Sequence, residues 1–99
     1  MTAKRVTVTA SLRAVQGAED EVKRECLALV APSRREQGCI SYDLHQSADD
    51  AAAFLFYENW ESMEDLERHL ESPHSLRFDE RTKGMLAAPE EITFWEMIS

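Results

Sequence analysis

The chain has 99 residues, of which 43% are apolar: enough for one hydrophobic core, too short for two, and too apolar to be a disordered segment. Nineteen acidic against eleven basic residues leave a formal charge of −8 and a pI near 4.8, a field that repels phosphate backbones and anionic lipid headgroups, so nucleic acid and membrane surfaces are excluded as expected partners. No stretch approaches the roughly 20 apolar residues that cross a bilayer.

Met1 to Arg13 alternate polar and apolar residues where a secretion signal needs a continuous apolar run, so the expected location is cytoplasmic and the segment reads as a first strand. Val6, Val8, Ala10 and Leu12 form its apolar face. Gly17 breaks that pattern, and Val22, Cys26, Leu29 and Val30 then recur at helical spacing. Pro32 is expected to kink or end this first helix, because proline lacks a backbone donor. Cys26 and Cys39 stand in no C-x-x-C pair and beside no histidine at ligand spacing, which reads as two reduced thiols.

After Gly38, Ile40, Tyr42 and Leu44 share one face of a second strand, and the polar turn of Ser47, Asp49 and Asp50 leads into a third strand from Phe54 to Trp60, the pair forming a hairpin. Ser62 followed by Asp65 resembles a capping box, and Met63, Leu66 and Leu70 make the apolar stripe of a second helix. Ser72-Pro73 is another helix start, continued by Leu76 and Phe78. Pro89 closes the helical region, and Ile92 to Ile98 gives a last strand.

The order is β-α-β-β-α-β with one added helical segment, an α+β fold of the ferredoxin-like kind with a four-stranded antiparallel sheet in a single domain over 1–99. Strand three carries Phe54, Phe56 and Trp60 on one side and Leu55 and Tyr57 on the other, and strand four sets Ile92, Phe94 and Ile98 against Trp95 and Met97. Helices cover only one face of such a sheet, so a second copy is expected on the other, closing a homodimeric α/β barrel.

Three segments together resemble the antibiotic biosynthesis monooxygenase family. Arg34 to Tyr42 matches its R-x-E-x-G-C-x-x-Y turn, Glu58-Asn59-Trp60 its E-x-W strand, and Leu66 to His74 its L-x-x-H-x-x-S-P-H helix. The resemblance implies a small dimeric barrel. It places the chain among cofactor-independent oxygenases of quinols and anthrones, haem-degrading enzymes and an isomerase of a phosphorylated signalling sugar derivative. Haem-binding members carry an asparagine, a tryptophan and a histidine ligand at places that correspond here to Ala10, His69 and Asp79, so haem is not expected.

His69 lies about 60° round its helix from Leu66, at the border of the apolar stripe, where a ring can face a pocket between helix and sheet. It is the first candidate for a catalytic base. His74, in the first turn of the next helix, is the second, since the helix dipole there favours a neutral ring. His45 reads as exposed and without a role. Tyr42, Glu58, Asn59 and Trp60 are the candidate substrate-binding residues. Tyr42 and Trp60 would form an aromatic cage, Asn59 would stabilise an oxyanion, and Glu58 either meets the ligand or accepts a bond from the neighbouring indole. By strand parity Asn59 points away from Glu58 and Trp60.

No G-x-G-x-x-G, G-x-x-x-x-G-K-[ST] or H-E-x-x-H motif occurs, so neither cofactor nor metal is expected. The expected reaction is oxidation of a quinol or enolisable polycyclic aromatic substrate by O2. One alternative is isomerisation of a small phosphorylated sugar derivative, for which Arg34, Arg35, Arg77, Arg81 and Lys83 would supply cationic groups. The other is a dimer that binds a small molecule without transforming it.

Overall fold

The computed structural model describes residues 5–99. Met1 to Lys4, the beginning of the segment read as the first strand, lie outside the described residues. The elements are β1 (Val6–Arg13), α1 (Glu19–Arg34), β2 (Cys39–Gln46), β3 (Ala53–Trp60), α2 (Met63–Leu70), α3 (Pro73–Arg81) and β4 (Glu91–Trp95). The strands pair antiparallel in the order β2-β3-β1-β4, the ferredoxin-like arrangement expected from the element order.

Register sets which side chains meet under the helices. Tyr42 pairs with Glu58, Glu58 with Val8, and Val8 with Phe94, so these four form one row across the helix side of the sheet. Leu44, Phe56, Ala10 and Ile92 form the next. Val8, Ala10, Leu12, Phe54, Phe56 and Trp60 are buried there against Val22, Cys26 and Leu29 of α1, Leu66 of α2 and Phe78 of α3.

Several expectations are corrected. Helix α1 runs through Pro32 to Arg34. The proline sits two residues from the helix end, and Ala28, whose carbonyl it leaves without a helical donor, is an exposed residue open to solvent. Ile40 is 40% exposed because β2 changes register between Cys39 and Ser41, which takes it off the Tyr42 face. In α2 the buried residues are Leu66 and His69, whereas Met63 and Leu70 are exposed; in α3 Phe78 is buried and Leu76 is not. Strand β4 ends at Trp95, and Met97 and Ile98 lie beyond it, exposed. Both faces of β4 remain open in the single chain, Ile92 and Phe94 toward the helices and Trp95 away from them.

Gly38 joins α1 to β2 with φ +86°, a conformation that a side chain strains. It is also pressed against α2, since a Cβ here would stand 2.6 Å from Asp65 Cβ. Asp65 cannot retreat easily: its backbone N–H donates to Ser62 Oγ at 3.2 Å, and Ser62 Oγ donates to Asp65 Oδ2 at 2.9 Å. Gly38→Ala is therefore expected to lower stability by roughly 2 kcal/mol or more. Urea unfolding of the variant against the native chain measures this, and an unchanged midpoint would contradict the contact.

Candidate functional site

Three short segments converge on one carboxylate. The tight turn at Gly38 sets Glu36, the Ser62 cap starts α2 and so sets His69 on its buried face, and Ser72 with Pro73 starts α3 and sets His74 in its first turn. Glu36 Oε2 lies 2.6 Å from His69 Nδ1 and 2.7 Å from His74 Nε2. A carboxylate oxygen only accepts, so both ring nitrogens donate to it. In neutral His69 the lone pair then resides on Nε2, which has no hydrogen-bond partner among the described residues.

The His69 ring is enclosed by aromatic neighbours, with Trp60 at a centroid distance of 4.8 Å and Tyr42 at 5.3 Å. Burial pushes its pKa below the ordinary histidine value, and this outweighs the opposing pull of the Glu36 hydrogen bond and charge. The ring is thus held neutral and oriented, as a proton acceptor must be.

His69 faces a cavity of ≈ 140 Å³ between helices and sheet, which Tyr42, Phe56, Glu58 and Phe78 also line. Glu58 is 5% exposed, and its Oε1 accepts from Trp60 Nε1 at 3.0 Å. Burial raises its pKa to about 7; the indole hydrogen bond opposes the shift, and the charges of Glu90 and Glu36 add to it. Burial likewise drives the Tyr42 hydroxyl upward, with the Glu58 charge next, so it stays protonated and able to donate.

Of the six candidate residues, Tyr42, Glu58 and His69 line the cavity together. Trp60 is fully buried behind them, backing His69 and anchoring Glu58, so it supports the cage rather than forming its wall. His74 lies across Glu36 from His69, beside a separate hollow of ≈ 30 Å³. Asn59 is on the opposite sheet face, where its Oδ1 accepts from Thr7 Oγ1 at 2.6 Å and its Nδ2 donates to Ser41 Oγ at 3.0 Å. The structure therefore separates Asn59 from the histidines, because adjacent strand residues point to opposite faces.

Nothing local marks Glu36 beyond its place in the R-x-E-x-G-C segment, because its partners are 33 and 38 residues away. Asp79 and Glu90 also line the cavity, brought there by packing that no spacing in the sequence marks.

Glu36, His69 and His74 also form the set with metal-ligand potential, their ligand atoms lying within 4.8 Å of one another. Separations of 2.6 and 2.7 Å are hydrogen-bond lengths, shorter than the roughly 3.3 Å between ligands that stand about 2.0 Å from a tetrahedral ion. A metal would have to displace both protons and spread the cluster. The two thiols offer no ligand here, since burial raises Cys26 to about 12 and Cys39 to about 11.

Fold and site together define a ferredoxin-like domain with an aromatic cavity and a carboxylate-held histidine at its wall. The antibiotic biosynthesis monooxygenase family profile matches residues 5–81, and the chain belongs to this family. At family level its function is monooxygenase-like. The chain is similar to "Putative monooxygenase Rv0793" of Mycobacterium tuberculosis, with 39% identity over 66 residues, 67% of this chain and 64% of that protein. The crystal structure of PA3566 from Pseudomonas aeruginosa superposes with TM-score 0.93 at 35% identity, covering 100% of this chain and 99% of that one. The Rv0793 structure gives TM-score 0.89 at 29% identity, covering 97% of each chain. Among the described residues no helix is long and apolar enough to cross a membrane.

The raised Glu58 pKa has a thermodynamic signature. The folded chain holds this proton up to about pH 7, whereas the unfolded chain releases it near the ordinary 4.5, so the stability it contributes is present at low pH and lost as pH rises through 7. Glu58→Gln keeps an acceptor for Trp60 and removes the titration. Urea unfolding should find the variant gaining roughly 2–3 kcal/mol on the native chain between pH 5 and pH 8.5. A pH-independent difference would contradict the assignment.

Proposed function

We propose that this protein is a homodimeric, cofactor-independent monooxygenase that oxidises a single-ring quinol with O2. The observation that carries this reading is His69, neutral and oriented by Glu36 on one side and facing an aromatic cavity on the other. His69 Nε2 takes the proton of a phenolic hydroxyl, leaving an electron-rich anion. One-electron transfer to O2 and recombination form a carbon–oxygen bond at the adjacent ring carbon. The histidine returns its proton to the peroxide, and loss of water, breaking the O–O and C–H bonds, leaves a hydroxyquinone. One oxygen atom stays on the ring, the other leaves as water, and the substrate supplies all the electrons.

The cavity volume favours one ring over a polycyclic substrate. At ≈ 140 Å³ it is close to the roughly 150 Å³ of a protein cavity known to take benzene. The sugar-phosphate isomerase reading lacks support, because none of Arg34, Arg35, Arg77, Arg81 and Lys83 lines this cavity. Arg34 is spent on the Tyr42 carbonyl and Asp43, and Arg81 lies beside Glu25.

A homodimer is supported by the sheet face opposite the helices. Tyr57 and Trp95 are 40% and 56% exposed there, and open hollows of ≈ 530 and ≈ 290 Å³ lie on that side, lined in part by Leu55 and by Tyr57 with Trp95. A second sheet packed face to face removes this apolar surface from water.

Light scattering at micromolar concentration is expected to give about twice 11.3 kDa, and Trp95→Glu to split or unfold the assembly through a buried unpaired charge. A stable native monomer would defeat the barrel. For the reaction, oxygen uptake with a quinol series should show kcat falling about 10²- to 10⁴-fold in His69→Ala. The native pH profile should rise through a group below the ordinary histidine value and then flatten. In Glu36→Gln that limb should move to lower pH, because Glu36 is what holds the His69 pKa up. Full activity in His69→Ala would remove histidine from proton abstraction.

A further inference from the structure

We infer that the cavity selects its ligand by charge: the carboxylates of Asp79 and Glu90 at its mouth admit a neutral or cationic hydroxylated ring and reject one bearing a carboxylate, sulfonate or phosphate. The inference rests on the cavity being the substrate site, as proposed above, and narrows the substrate class.

Asp79, Glu90 and Glu58 all line the cavity, and among the described residues no lysine or arginine does. Asp79 and Glu90 are exposed whereas Glu58 is buried, which places the first two at the opening and the third inside. Burial is the main cause that raises both Glu90 and Glu58; the charge of Asp79 adds to it at Glu90, and the charge of Glu90 adds to it at Glu58. Lys83 lines the neighbouring groove that shares Asp79 and Glu90, and is not among the residues lining the cavity itself.

The floor is built for hydroxyl groups. Glu58 Oε1 is occupied by Trp60, while Oε2 has no hydrogen-bond partner among the described residues; His69 Nδ1 is occupied by Glu36, while Nε2 has none among them. Each residue is more than nine-tenths buried, and each faces the cavity. The open lone pair of His69 and a Glu58 oxygen that accepts when ionised and donates when protonated, sharing one apolar space, suit a ligand carrying hydroxyl groups, which both donate and accept. An anionic substituent would meet uncompensated like charge at the mouth, and no described residue in the wall would neutralise it. A cationic one would meet attraction at the mouth.

The test is anaerobic calorimetric binding of three ligands that share one ring: hydroquinone, 2,5-dihydroxybenzoate and 2-(aminomethyl)hydroquinone. The native protein should bind the benzoate at least about tenfold more weakly than hydroquinone, about 1.4 kcal/mol, and the aminomethyl compound at least as tightly. In the double variant Asp79→Asn, Glu90→Gln the benzoate penalty should shrink to about threefold or less, and added salt should shrink it in the native protein, since the mouth is solvated. Hydroquinone and benzoate binding equally to the native protein would overturn the charge selection while leaving the quinol site standing. An undiminished penalty in the double variant would overturn its assignment to these carboxylates. Failure of hydroquinone itself to bind would overturn both readings.

Discussion

The arrangement of the site depends on a single carboxylate oxygen. Glu36 Oε2 accepts from histidines on two successive helices, so the turn after α1, the buried face of α2 and the first turn of α3 meet at one atom. Taking a carboxylate out of water is costly unless hydrogen bonds replace those to water, and here two donors do so at once. That requirement fixes how α2 and α3 approach α1. It also fixes which nitrogen of His69 is left for chemistry. Gly38, two residues from Glu36 and pressed against Asp65, holds the turn at the distance the bonds need.

The cavity puts two titratable groups under the same force with opposite signs of pKa shift. Desolvation lowers His69 and raises Glu58, and in both cases it favours the uncharged form. Near neutral pH the floor of the cavity therefore carries little net charge, although the chain as a whole is strongly acidic. An imidazole with an open lone pair and a carboxyl poised to gain or lose a proton share one apolar space. Such a floor suits a substrate whose protons move during the reaction.

The two sheet faces divide the labour. The helix side holds the cavity and its aromatic support, while the other side carries the polar chain Thr7–Asn59–Ser41 together with Tyr57 and Trp95, whose indole donates to Thr9 Oγ1 at 2.8 Å. Asn59 belongs to this second surface. A residue one position from a site residue on a strand is as far from the chemistry as the sheet is thick.

What the amino-acid order determined by itself was most of what depends on near neighbours, the passage of α1 through Pro32 and the bulge at Ile40 excepted. Strand alternation in β1 and β3, the Ser62 and Ser72 caps, the glycine turn at 38 and the element order all follow from interactions a few residues long, and they were legible. The motif segments also pointed to His69 and to the E-x-W strand. The tertiary structure alone decided the rest. Periodicity places Met63, Leu66 and Leu70 on one stripe, yet only the docking angle of α2 determined that His69 goes inside and Met63 and Leu70 stay out. Likewise, the five-residue interval from His69 to His74 gave no hint of a shared partner, because the break between α2 and α3 turns both rings toward Glu36. Contacts across more than 30 residues arise from packing, where burial and hydrogen-bond satisfaction select among orientations that local propensity leaves equal.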